Sequence, residues 1–241
     1  VAGRSVADVL TELGRGAPPD AELPQRLAES CAAALPGAGV GLSLTTPAGP
    51  AGVLAATRGT GAAVEELQLT LGVGPCRDAW TSGRPALHAD LAATGAARWP
   101  AFVAGALGAG VQAVFAFPVR VGAVRLGVLD VSRAARGALD TAELATALTY
   151  ADAAVAVLVH LQAGRGAGDG PPLALRLVED SAEVHQATGM VSVQAGVGVA
   201  QALGLLQARA FAGGRPLREV ARDVLRGAVR FTRDDDGIGG G

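Results

Sequence analysis

Between Ala163 and Pro172 the chain reads AGRGAGDGPP, a run of glycine and proline with almost nothing to bury. Such a segment builds no packed element, because Gly loses the most backbone entropy on ordering and Pro fixes its own φ and withholds a donor. Read as a linker over residues 163–172, it divides the 241 residues into two folding units. Residues 1–162 are long enough to bury a core of their own, whereas residues 173–233 make a module whose core is marginal alone. Residues 234–241, DDDGIGGG, read as a disordered tail.

The composition is that of a globular protein, 50% hydrophobic and 17% charged, but only 3% aromatic, so its cores rest mostly on Val, Leu and Ala. All 20 basic residues are Arg, which reflects coding bias, and a net charge of -2 excludes a generally basic nucleic-acid binder. Any such activity must be local. Cys31 and Cys76 are too few for a disulfide framework, and His88, His160 and His185 are scattered, with no CxxC or HExxH spacing for a metal. The first residues, VAGRSVADVL, lack a charged and then apolar leader pattern, and no run approaches eighteen uninterrupted apolar residues. The expectation is a cytoplasmic protein with reduced thiols and no membrane partner.

Residues 1–162 begin with helical patterning over Val6–Leu13 and Ala21–Leu35, the second stopped by Pro36 and Gly37. Gly39–Thr45 and Ala51–Thr57 read as a hairpin around Pro47-Ala48-Gly49-Pro50. The alternation in Leu67–Leu71 predicts a strand, Cys76–Ser82 a short helix after Gly74-Pro75, Arg84–His88 an extended segment, and Trp99–Leu107 a helix. Gln112–Val121 and Val124–Val131 are the clearest strands, turning at Gly122-Ala123. A long helix over Thr141–Gln162 follows, capped by Asp140-Thr141-x-Glu143 and apolar enough from Ala151 to Leu161 to be buried, against this chain or a second copy. The whole is an α+β domain, an antiparallel sheet flanked by helices.

After the linker, Ser181–Val193, Val199–Ala212 and Pro216–Arg230 read as three helices punctuated by Gly196 and Gly213-Gly214, a small all-α module. In the third, Arg218, Arg222, Arg226 and Arg230 recur every four residues and form one slowly drifting stripe, while Leu217, Val220, Ala221, Val224, Leu225 and Ala228 face a core. From Gln207 to Arg233 seven arginines stand against two carboxylates, a segregated positive charge in a net acidic chain. Guanidinium forks suit phosphate oxygens, but Glu219 and Asp223 also sit at ion-pairing distance from Arg222 and Arg226 along a helix. Phe211 falls in the apolar pattern and is assigned to the core over base stacking.

Other candidates have plainer readings beside them. Cys76 follows Gly-Pro at a helix start, where a thiol is acidified, yet it suits a small buried hydrophobe, as Cys31 does. His88 is a ligand candidate or a hydrogen-bonded structural residue. Trp80, Phe102, Phe115 and Phe117 either line a small-molecule pocket or fill the core. No Walker loop or GxSxG elbow is present, and no cofactor motif, so catalysis finds no support.

Two families are recognisable in these residues. Gly74-Pro75-Cys76-Arg77-Asp78-Ala79, Ser82-Gly83-Arg84-Pro85, Arg98-Trp99-Pro100, Val114 to Arg120 (VFAFPVR) and Leu126-Gly127-Val128-Leu129-Asp130 resemble a GAF domain of the actinobacterial type. Gln186-Ala187-Thr188-Gly189-Met190, Ala200 to Phe211 and Arg215-Pro216-Leu217-Arg218-Glu219-Val220-Ala221 resemble an ANTAR domain. The resemblance implies a non-enzymatic, homodimeric regulator, in which a GAF sensor with a small-molecule effector controls an ANTAR module. That module would bind paired RNA stem loops in leader transcripts and promote antitermination. It implies an RNA surface at Gln186, Ala187, Gly189 and Met190, small residues letting a loop come close and Gln186 reading a base edge, with Arg209, Arg215, Arg218 and Arg222 on phosphates. The alternative is a signalling protein whose C-terminal helices dock an acidic protein without binding RNA.

Overall fold

The computed structural model describes residues 4–46, 49–163 and 182–232. Apart from Ala163, which is helical and ends α7 where the expected linker begins, the expected linker and tail lie outside the described residues, as do Pro47-Ala48 of the hairpin turn, Ser181, Arg233 and the ring of His185. In the first unit the order is α1 Val6–Leu13, a 3-10 turn Asp20–Glu22, α2 Leu23–Ala34, β1 Ala38–Thr46, β2 Gly49–Ala56, α3 Thr60–Leu71 and α4 Pro75–Ser82. Then come β3 Ala86–His88, α5 Leu91–Thr94, α6 Pro100–Gly108, β4 Ala113–Val121, β5 Val124–Arg133 and α7 Thr141–Ala163. The strands form one antiparallel sheet in the order β2-β1-β5-β4-β3. This is the α+β arrangement the pattern predicts.

The two faces of that sheet differ in kind. Strand alternation sends Val40, Leu42 and Leu44 of β1, Phe115, Phe117 and Val119 of β4, and Leu129 and Val131 of β5 to one side, where they join Leu27 and Cys31 of α2 and Tyr150, Ala154 and Leu158 of α7 in the main core. The opposite side carries Gly39, Gly41, Ser43 and Thr45 of β1, Ala116 of β4 and Asp130 of β5, small or polar residues, beside the apolar Val114 and Val128. Helix α7 is long and apolar enough to cross a membrane by length and composition, but its buried residues line this core. Its start is fixed as the Asp140/Glu143 spacing predicts: Asp140 N–H donates to Glu143 Oε2 at 2.9 Å and Glu143 N–H to Asp140 Oδ1 at 2.8 Å. Arg133 at the end of β5 grips the same carboxylate with both terminal nitrogens, at 3.2 and 2.6 Å.

Gly127 on β5 lies where a Cβ would stand 2.3 Å from the backbone oxygen of Ser43 on the paired strand. A backbone oxygen cannot step aside without breaking the β1–β5 ladder. Gly127→Ala is therefore expected to destabilise this domain by about 1–3 kcal/mol, read as a lowered urea midpoint.

Residues Leu67–Leu71 are helical and end α3; they are not a strand. The misleading alternation arises because α3 buries the polar Glu65, Gln68 and Thr70 beside Val64 while Leu67, Leu69 and Leu71 are only half-buried, so the true period of 3.6 is hidden from a hydrophobic count. The single turn of α5, capped by Asp90 Oδ1 on Ala93 N–H at 3.1 Å, is too short to leave a periodic signal.

The second unit holds α8 Ala182–Ala195, α9 Val199–Ala212 and α10 Leu217–Leu225. Ala187, Val191 and Ala195 from α8 are buried, as are Ala202, Leu206 and Ala210 from α9 and Leu217, Val220, Ala221 and Val224 from α10. The third helix stops five residues before the expected Arg230. Gly227, at φ +72°, takes the left-handed cap, with Ala228 N–H on Asp223 O at 2.8 Å and Gly227 N–H on Val224 O at 2.9 Å. The chain then turns so that Phe231 is buried and its N–H donates to Gln194 Oε1 at 3.1 Å. Ala228 is exposed, contrary to its place in the expected apolar stripe.

Candidate functional site

The arginine stripe does not survive as drawn. Arg218 and Arg222 lie on α10, Arg226 caps it, and Arg230 lies beyond it. Within residues 182–232 six arginines face three carboxylates. Each carboxylate is engaged: Glu183 holds Arg222 Nε at 2.8 Å, Asp223 holds Arg215 at 2.8 Å and Arg226 at 2.5 Å, and Glu219 lies 3.5 Å from Arg215. The bonds from Arg226 and Arg215 hold the Asp223 carboxyl below its ordinary range. Arg209, Arg218 and Arg230 are exposed and have no carboxylate partner among the described residues. The net positive charge of residues 182–232 therefore sits on these three.

Arg209 and Arg215 line one concavity of about 270 Å³ with Ala212, Gly213, Val220 and Val229. Two guanidinium groups over an apolar floor suit an anionic group attached to a flat or apolar body. Gln186 and Gly189 share the exposed side of α8, and a Cβ on Gly189 would meet nothing, so the backbone there is open to close approach. Met190 is half-buried. Ala187 is fully buried and faces the helical core, which corrects its place in the expected surface: as the next residue after Gln186 it is turned about 100° around the helix. Phe211 is corrected in the other direction, standing 47% exposed on α9, because the buried positions Ala202, Leu206 and Ala210 follow a step of four that excludes it.

In the first unit the four aromatic candidates do not converge on one pocket. Phe115 and Phe117 are buried in the main core, on the α2 and α7 side of the sheet. Phe102 is fully buried on α6 beside Trp99, with ring centroids 6.1 Å apart. Trp80 packs on the other sheet face near Cys76, Ala79, Ala116 and Val128, with Arg125 over its ring at 5.5 Å. His88 is structural in its contacts: Nδ1 meets Thr94 Oγ1 at 2.9 Å, and its ring stands edge-on to Trp99.

What gathers instead on that second face is a polar group that no sequence motif announces. Glu65 and Gln68 of α3 lie over β1 and β5, where Ser43 Oγ donates to Glu65 and Gln68 Nε2 donates to Asp130 Oδ2 at 3.3 Å. Gln68 Oε1 in turn accepts from Cys76 N–H at 2.7 Å, which ties the start of α4 to the group. Glu65 is 3% and Asp130 1% exposed. Burial pushes the Glu65 carboxyl well up, the nearby Asp130 charge adding to it, and burial raises Asp130 to about 6 against the hydrogen bonds it accepts. The Cys76 thiol is pushed up by burial and by the same two carboxyls, the reverse of what its helix start predicts, so it is no activated nucleophile. Burial likewise raises Cys31 to about 12.

Comparison with known proteins finds two families along the chain. The GAF domain model matches residues 20–159 and the ANTAR domain model matches residues 176–225. The GAF domain of a phosphoenolpyruvate-protein phosphotransferase from Coxiella burnetii is 16% identical with a TM-score of 0.51, covering 66% of this chain and 93% of that one. Its counterpart from Acinetobacter is 12% identical with a TM-score of 0.51, covering 67% and 95%. These likenesses concern the fold. Among curated proteins none matches the chain.

Proposed function

Since the chain belongs to the GAF domain family and carries an ANTAR domain after it, we propose that it is a signal-responsive regulator whose C-terminal module binds RNA and promotes transcription antitermination. The observation that carries the RNA reading is the charge inventory of that module's described residues: the carboxylates Glu183, Glu219 and Asp223 are taken up by Arg215, Arg222 and Arg226, and Arg209, Arg218 and Arg230 remain for phosphate. The groove at Arg209 and Arg215 offers a place for a phosphate and the open backbone at Gly189 one for an unstacked loop base, with Gln186 on the same side of α8 to read its edge. The protein acts in the cytoplasm as a homodimer, one module on each of two stem loops, by binding and without covalent chemistry. An effector at the sensor domain changes that binding.

The test is a comparison of variants on paired stem-loop RNAs from leader transcripts. Arg209→Ala/Arg218→Ala is expected to weaken binding by tenfold or more and to lower the salt slope by about 2, about 1 for each phosphate no longer neutralised. The pair Arg222→Ala/Glu183→Gln, which removes a charge and its counter-charge together, is expected to leave affinity within about twofold, since exposed ion pairs contribute little net field. Equal weakening in both variants contradicts this assignment.

A further inference from the structure

Three of the six arginines in residues 182–232, Arg209, Arg218 and Arg230, meet no carboxylate among those residues, and the sequence places three more carboxylates shortly after them: Asp234, Asp235 and Asp236. With Arg233 before it, the run stays net acidic. The fold fixes the point from which it departs. Phe231 is buried and its N–H donates to Gln194 Oε1 at 3.1 Å, so the chain is anchored three residues ahead of Asp234. A chain spans at most roughly 3.6 Å per residue, which keeps Asp234 within roughly 11 Å of Phe231 and Asp236 within roughly 18 Å.

The anchor stands beside a basic groove. Val229, two residues before Phe231, lines the concavity of about 270 Å³ together with Arg209 and Arg215, and Arg230 follows it in the chain. Arg215 already meets Asp223 at 2.8 Å and Glu219 at 3.5 Å, whereas Arg209 is exposed without a carboxylate among the described residues. The uncompensated charge of the groove is therefore that of Arg209. Carboxylates tethered by so few residues are present there at an effective concentration on the order of millimolar, so ion pairs too weak to join separate molecules can persist within one.

We propose that Asp234, Asp235 and Asp236 dock in the groove of Arg209 and Arg215 of the same chain and compete there with RNA phosphate. The inference rests on the reading of this module as RNA-binding and names a regulation of the same surface. A competitor tied to the protein lowers the affinity of every RNA by one common factor, the fraction of molecules whose groove is open. It adds no base preference; it raises the concentration at which any stem loop is held.

The experiment compares the full chain with a variant carrying Asp234→Asn, Asp235→Asn and Asp236→Asn, both checked for native circular dichroism. Without RNA, the guanidinium Nε–H resonance of Arg209 is expected to differ between the two proteins at low salt and to coincide at about 1 M salt, where charges are screened within about 3 Å. With a paired stem-loop RNA at low salt, the variant should bind about threefold or more tightly than the parent, and Asp→Glu at the same three positions should match the parent. In an Arg209→Ala background the gain from the three Asn substitutions should largely vanish, whereas a change in the overall field would give the same gain in both backgrounds. Four results would each overturn the proposal: identical Arg209 resonances at low salt, an equal gain with and without Arg209, a gain in the Glu variant, or a resonance difference that grows with protein concentration. The last would place the run of a second copy in the groove. A shifted Arg209 resonance in a protein that binds no RNA would contradict the RNA reading and leave the contact standing, so the two fail separately.

Discussion

Leu206→Ala is expected to unfold the C-terminal module while the sensor domain stays folded. Among the described side chains of α9, Leu206 is the one large residue that is fully buried, and its neighbours in the step of four are Ala202 and Ala210. Truncating a buried Leu costs about 2–5 kcal/mol, and a core of this size rarely supplies more than about 3–5 kcal/mol. The loss is therefore comparable to the whole stability of the three-helix unit. Circular dichroism and amide exchange should show the helices of residues 182–232 unfolded and the β-sheet protected, with RNA binding abolished. A module that stays protected after this substitution would mean that α8 and α10 pack well enough without the α9 anchor.

The second large effect is a sensor domain that grows less stable as pH rises from 5 to 8. Asp130 is raised to about 6 and Glu65 is raised well above its ordinary value, so the native state binds more protons than the unfolded chain across this window. Stability is then greatest below the unfolded carboxyl range and is lost as pH passes the raised values, the opposite of the usual ion-paired carboxylate. For Asp130 the linkage is on the order of 3 kcal/mol at most. The groups that face it are Glu65 and Gln68 from α3 and Cys76 from α4, with no guanidinium opposing them among the described residues. His88 is lowered chiefly by burial, so its contribution is lost as pH falls and runs the other way below its ordinary value. Comparing Asp130→Asn with the unaltered protein cancels that contribution. The urea midpoint of the variant should vary less between pH 5 and 8, since only the burial of Glu65 then opposes ionisation, and should exceed that of the parent at pH 8. Parallel curves would show that the buried pair holds no excess proton.

The frame of this protein is legible in its sequence because the elements that build the main core are written in apolar residues. The β4–β5 hairpin, the capped start of α7 and the proline-led start of α4 all fall where pattern and cap chemistry place them. What the sequence conceals is the chemistry of the opposite sheet face. Glu65, Gln68 and Thr70 occupy buried positions of α3, so polar residues stand where a helix normally buries apolar ones, and Gln68 and Thr70 between half-buried leucines disguise its end as a strand. Phe115 and Phe117 alternate correctly but point to the core side, a choice that depends on which face α7 covers and that no local pattern records. In the second unit the four-residue spacing of arginines suggests one stripe, whereas Gly227 ends the helix and the carboxylates Glu183, Glu219 and Asp223 select which arginines stay unpaired. Glu183 is 39 residues from Arg222 in sequence, and only the folded bundle brings them together.

The most direct measurement is the affinity of the intact protein for a paired stem-loop RNA across a series of salt concentrations. The expected result is specific binding whose log affinity falls linearly with log salt, at a slope corresponding to roughly two or more phosphates neutralised, with unrelated hairpins bound more weakly. No RNA binding even at low salt, or binding indifferent to salt, would contradict the RNA reading and leave the C-terminal helices as a docking surface for an acidic protein.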